Sequence, residues 1–98
     1  MRFLFRPRAL DDLRTLLEYL ASKSPQAAQR MHGSILETCK LLGDNPYIAV
    51  ELDELEVTGI RRFPIVHYTH YSLFYRLYDH RVEIVRLGFG GQDWPHIS

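Results

Sequence analysis

Two stripes of apolar residues at helical spacing, set end to end in the first half of the chain, limit the possible folds more than any other feature. Leu10, Leu13, Leu16, Leu17 and Leu20 recur at intervals of mostly three or four residues, which gathers them on one face of an α-helix. Asp11, Asp12, Arg14 and Glu18 fall off that stripe. Ala28, Met31, Ile35, Cys39 and Leu42 form a second one. Ser24-Pro25 is a start signal for it, because serine caps free backbone N–H groups and proline is preset for the first helical turn. Gly43 followed by Asn45-Pro46 ends it. Two such helices joined by Ala21–Ser24 make an antiparallel hairpin. Its shared apolar side needs a cover from another layer, and a sheet is the expected one.

The rest of the chain supplies that sheet. Arg2 to Arg6 alternates polar and apolar through Phe3 and Phe5, the period of a half-buried strand, and Pro7 stops it. Tyr47 to Thr58 has no helical period, is acidic, and is expected to be a loop with a short extended piece. After Gly59 the sequence is rich in β-branched and aromatic residues, and strands are predicted at Ile60–Phe63, Tyr68–Tyr78 and Val82–Phe89, with a turn at Asp79-His80. The order is strand, helix, helix, strand, strand, strand. Ninety-eight residues have the interior for one core, so residues 1–98 are expected to form a single α+β domain.

Apolar runs are far short of the roughly twenty residues that cross a bilayer, no signal segment opens the chain, and a lone Cys39 has no internal disulfide partner. The expectation is a cytoplasmic protein without a membrane contact. Twelve basic residues balance twelve acidic ones, which gives no general affinity for nucleic acid. The distribution is uneven, however. Glu51, Asp53, Glu54 and Glu56 form an acidic run, whereas Arg61, Arg62, Arg76, Arg81 and Arg86 outweigh Asp79 and Glu83, which allows a local cationic surface.

Several short motifs, in order, carry a resemblance. They are Ala9-Leu10-Asp11-Asp12-Leu13, Ser24-Pro25-Gln26-Ala27-Ala28 and Asn45-Pro46, then the more specific Gly59-Ile60-Arg61-Arg62-Phe63-Pro64, Tyr71-Ser72-Leu73-Phe74-Tyr75-Arg76, Val82-Glu83-Ile84-Val85-Arg86-Leu87 and Gly90-Gly91-Gln92-Asp93. Over nearly its whole length the chain resembles the ParE/RelE superfamily of bacterial type II toxins, and it looks closer to ParE. The resemblance implies a helical hairpin on a small curved antiparallel sheet, a cognate antitoxin whose tail wraps the toxin in a hetero-oligomer, and one of two targets. ParE-like toxins inhibit DNA gyrase and so growth; RelE-like toxins cut messenger RNA on the ribosome. Contacts with the antitoxin are not assigned to residues by the resemblance.

Metal-free RNA cleavage needs a base, an acid, and cations for the developing phosphate charge. Arg61, Arg62, Arg76 and Arg86, on neighbouring predicted strands, are the candidate cations, and Tyr71 is a candidate proton carrier with Tyr75 and His70 as alternatives. Many relatives end the last strand on His-Gly, where this chain has Phe89-Gly90, and a hydrocarbon ring transfers no proton. The acidic run lies where RNA-cutting relatives often carry lysines, and it would repel an RNA backbone. The expectation is therefore a gyrase-directed toxin without nuclease activity, with Arg61, Arg62, Arg86, Phe89, Asp93 and Trp94 as the target-binding set. The alternatives are a RelE-like ribosome-dependent nuclease and an inactive antitoxin-binding regulatory module.

Plainer roles compete for the same residues. Arg61 and Arg62 alternate faces, so one of them is expected to be solvated or paired with an acid. Arg86, between Val85 and Leu87, could form a salt bridge to the acidic loop, and tyrosines such as Tyr68 and Tyr78 more often pack than catalyse. His67 and His70 are expected on opposite faces of an extended segment, while His32, His80 and His96 are scattered, so no metal-ligand set follows. No phosphate-binding glycine loop or nucleophile motif is present, and no cofactor is expected.

Overall fold

The computed structural model describes residues 1–49, 51–52 and 59–89. The elements run β1 (Arg2–Phe5), α1 (Pro7–Lys23), α2 (Pro25–Asp44), β2 (Arg61–Ile65), β3 (Tyr68–Tyr78) and β4 (Arg81–Phe89). Both helices begin on a proline, whose fixed φ suits the first turn and whose missing N–H would have had no helical partner. Ser24 alone joins them. Its backbone N–H donates to the Leu20 carbonyl at 2.8 Å and its Oγ accepts from the Ala27 N–H at 3.3 Å, so one residue closes α1 and caps α2. The expected linker Ala21–Ser24 is shorter than predicted because α1 continues through Lys23. Nothing in Ala21-Ser22-Lys23 breaks a helix, and a lysine suits the negative end of the helix dipole.

The sheet order is β1-β4-β3-β2. The three C-terminal strands pair antiparallel, as expected, but β1 pairs with β4 in parallel, from Arg2↔Arg81 to Phe5↔Ile84, so the sheet is mixed. The helical hairpin carries the chain across to the far edge. Two successive hairpins then walk back, and the last strand arrives beside the first in the same direction. Strand β2 extends past Phe63 through Pro64 and Ile65.

Between the pairs Phe74↔Arg86 and Tyr75↔Ile84, Val85 is an extra residue on β4. Side chains alternate across a strand, so Ile84 and Leu87, three apart, would otherwise face opposite ways. The bulge turns both toward the helices, and both are buried in the core with Leu73, Tyr75 and Val82. The helices contribute Ala9, Leu16, Met31, Ile35, Cys39 and Leu42. Contact on α1 thus begins at Ala9; Leu10, assigned to the stripe by spacing, is 44% exposed. Burial pushes the Cys39 thiol up to about 12, so it stays protonated and packs as a small hydrophobe.

Two ties lock the layers. Thr38 Oγ1 accepts from the Val66 N–H at 2.9 Å while donating to the Ser34 carbonyl. The Met1 ammonium donates to the Gly43 carbonyl at 2.7 Å, where a Cβ on residue 43 would meet the Met1 oxygen at 2.6 Å. Glycine is the residue that permits this approach.

Candidate functional site

Of the four arginines predicted to converge, Arg61, Arg76 and Arg86 are each held by a different anionic group. Arg61, with its side chain 16% exposed, donates through Nη1 to the Ala49 carbonyl, lies 3.6 Å from Glu51, and stacks over Tyr47 at 5.2 Å. With Tyr75, whose hydroxyl donates to the Pro46 carbonyl at 3.0 Å, it fastens the segment after α2 onto the sheet edge. Among the described residues, the short extended piece expected there is the isolated bridge Glu51↔Arg61. It is therefore Arg61 that reaches the acidic segment.

The salt bridge allowed for Arg86 goes elsewhere. Its Nε and Nη2 donate to the two Asp12 oxygens at 2.7 and 3.1 Å, and the Leu87 backbone N–H donates to the same carboxylate at 3.0 Å. Beyond Ile84, β1 no longer pairs with β4, and α1 takes that place, so Asp12 receives an N–H that a strand would have received. The hydrogen bonds that Arg86 donates to Asp12 push its guanidinium above its ordinary value, outweighing its burial. Arg62 is exposed, on the opposite side of β2 from Arg61, in one row with Phe74 and Arg86.

Arg76 belongs to a third arrangement. It stands opposite Glu83, a residue only 1% exposed, and donates from Nε to Oε1 at 3.0 Å, while Arg81 donates from Nε and Nη2 to Oε2 at 3.1 and 2.9 Å. Burial acts to raise the Glu83 carboxyl, but the hydrogen bonds and charges of both arginines outweigh it and hold the group below the usual carboxylate range. The sequence pattern pointed to the arginines and missed the carboxylates that organise them. Arg76 and Glu83 are seven residues apart, and Asp12 and Arg86 seventy-four, so no local spacing pairs them.

Tyr71 lies on the helix side with Tyr75, packed on the core. Burial raises both phenols, with Tyr19 adding to the shift at Tyr71, which moves them further from neutral pH and against service as a base. Tyr71 helps line a groove of about 560 Å³ between α1 and the ends of β3 and β4, with Leu16, Tyr19 and Leu87 as apolar walls and Asp12 at its rim. His67 sits in the β2–β3 turn at φ 70° instead of on a strand, and His70 is exposed on β3. No cluster of metal-ligating side chains occurs among the described residues, and no helix among them is long and apolar enough to cross a membrane. The Phe89 side chain, Asp93 and Trp94, expected in the target-binding set, lie outside the described residues.

Among solved structures, the fold is similar to one described as a chromosomal ParDE toxin–antitoxin system from P. aeruginosa, with a TM-score of 0.71 and 22% identity over 91% of this chain and 95% of that one. No curated protein sequence matches significantly. The family model for the ParE toxin of the type II toxin–antitoxin system parDE matches residues 3–94, nearly the whole of the strand, hairpin and sheet just described, and the chain therefore belongs to the ParE toxin family.

Proposed function

We propose that this protein stops growth by binding DNA gyrase and holding it in its DNA-cleaved state, and that a cognate antitoxin silences it in the cytoplasm. The observation that carries the choice of target is the dispersal of the arginines. Arg61, Arg76 and Arg86 are bound by Glu51, Glu83 and Asp12 respectively, so these three do not form one cationic site for the phosphate of a scissile RNA. The phenols of Tyr71 and Tyr75, both raised by desolvation, and the hydrocarbon at Phe89 add no neutral-pH proton carrier. A gyrase poison needs a stable binding surface and no proton transfer of its own, and an ion-paired sheet fits that need.

The antitoxin fits the groove beside α1. Its walls of Leu16, Tyr19, Tyr71 and Leu87 suit the apolar side chains of a tail that folds as it binds. At the outer edge of β2, Pro64 has no N–H for an added strand, which favours the groove over that edge.

A supercoiling assay with purified toxin and gyrase tests the proposal. The expected result is loss of supercoiling with accumulation of cleaved DNA, reversed by antitoxin, and no messenger RNA cut on translating ribosomes. Undisturbed supercoiling together with prompt ribosome-dependent cleavage would establish the nuclease reading instead.

A further inference from the structure

The β3–β4 hairpin carries a built polar cluster on the face of the sheet turned away from the helices. Leu77, Val82 and Ile84 pack on the core, so their strand neighbours Arg76, Tyr78, Arg81 and Glu83 point the other way. Glu83 is enclosed and binds both guanidiniums, each of which lies over the Tyr78 ring, at 5.6 Å for Arg76 and 5.5 Å for Arg81. Tyr78 itself is 57% exposed, and the two arginine side chains are 38% and 32% exposed. A buried carboxylate between arginines is a poor device for stability alone. Here it fixes two guanidinium planes and an aromatic face toward solvent, which lowers the entropy lost when a partner binds them.

Two neighbours extend the cluster. Arg2 stands directly opposite Arg81 in the β1–β4 ladder, a like-charge pair that repels, and Arg2 makes no ion pair among the described residues. Leu4, opposite Glu83, is 37% exposed. Arginine and tyrosine side chains held together are the residue types enriched in protein-binding hot spots. Arg2, Arg76 and Arg81 against Glu83 and Asp79 leave one net positive charge, whereas nucleic-acid sites neutralise many phosphates.

We infer that this patch receives a carboxylate-bearing segment of the toxin's protein target, with Glu83 as the residue that positions Arg76 and Arg81. The inference rests on gyrase being that target. It adds to the target-binding face residues at the opposite end of the hairpin from Phe89, on the face away from the groove assigned to the antitoxin.

The test measures the full-length chain and three variants, Tyr78→Ala, Arg2→Glu and Glu83→Gln, against gyrase, the antitoxin encoded beside it, and a duplex oligonucleotide. Tyr78→Ala and Arg2→Glu should each weaken gyrase binding about tenfold or more with antitoxin affinity unchanged, which also reports that the fold is intact. Glu83→Gln should act through faster dissociation from gyrase, because its arginines are still present but no longer held. Gyrase affinity unaffected by Tyr78→Ala and Arg2→Glu would overturn the inference, as would an equal loss toward the antitoxin, or oligonucleotide binding that these substitutions abolish. If the unmodified chain does not bind gyrase at all, the proposed target is wrong and the inference falls with it; a bound gyrase indifferent to the patch leaves the target standing.

Discussion

At the residue scale, Asp12 shows how one side chain can join a helix to a sheet. It accepts three hydrogen bonds from β4, and the side chains of Asp12 and Arg86 are only 19% and 13% exposed. The adjacent Asp11 pairs with Arg14, both largely in water, where ion pairs contribute little. Asp12→Asn should therefore lower the unfolding free energy by about 2–3 kcal/mol, since it leaves a part-buried guanidinium facing a neutral amide. Asp11→Asn should change it by less than about 0.5 kcal/mol. Urea denaturation of the two variants side by side checks this, and equal effects would show that Asp12 does not clamp the layers. Alternation and spacing made Asp12 look like an exposed residue off the leucine stripe. Its partner is set by where α1 meets the end of β4, which no local pattern encodes.

At the element scale, the β3–β4 hairpin was legible down to its turn. Asp79 and His80 both take left-handed backbone angles, φ 51° and 59°, the geometry of a two-residue turn that matches strand twist and favours Asn-Gly or Asp-Gly. Histidine pays a steric penalty there that glycine does not. His80→Gly should raise stability by about 1 kcal/mol, read as a rise in melting temperature of about 4–8 °C. An unchanged or lower melting temperature would mean that the turn is not strained at His80. The bulge at Val85 was not legible. Val82 to Phe89 reads as an unbroken run of strand residues, and only pairing with β3 shows that one residue has no partner.

At the scale of the whole molecule, stability should depend on acid through Glu83. Its carboxyl is held below its unfolded value, so its contribution is complete above the unfolded pKa and is lost as the pH falls through the lower folded one. Glu83→Gln should be less stable than the parent by about 2–3 kcal/mol at neutral pH. The gap should close in acid, where the parent carboxyl is itself neutral. Urea midpoints from pH 7 down to pH 2 follow the two curves, and the gap should narrow steadily below the unfolded pKa; a gap that stays constant over that range would assign the effect to packing instead of charge.

The amino-acid sequence by itself determined the element order, the start of α2 and the core face of most elements, because proline, the Ser24 cap and apolar periodicity act within a few residues. The motif order also carried the family. Tertiary structure decided the parallel placement of β1, the burial of Glu83, and the separate partners of Arg61, Arg76 and Arg86. These depend on which strands meet, and a charge finds its counter-ion through space after the layers have packed. An arginine-rich stretch of sequence looked like one cationic site for that reason, and became three ion-paired ones when folded.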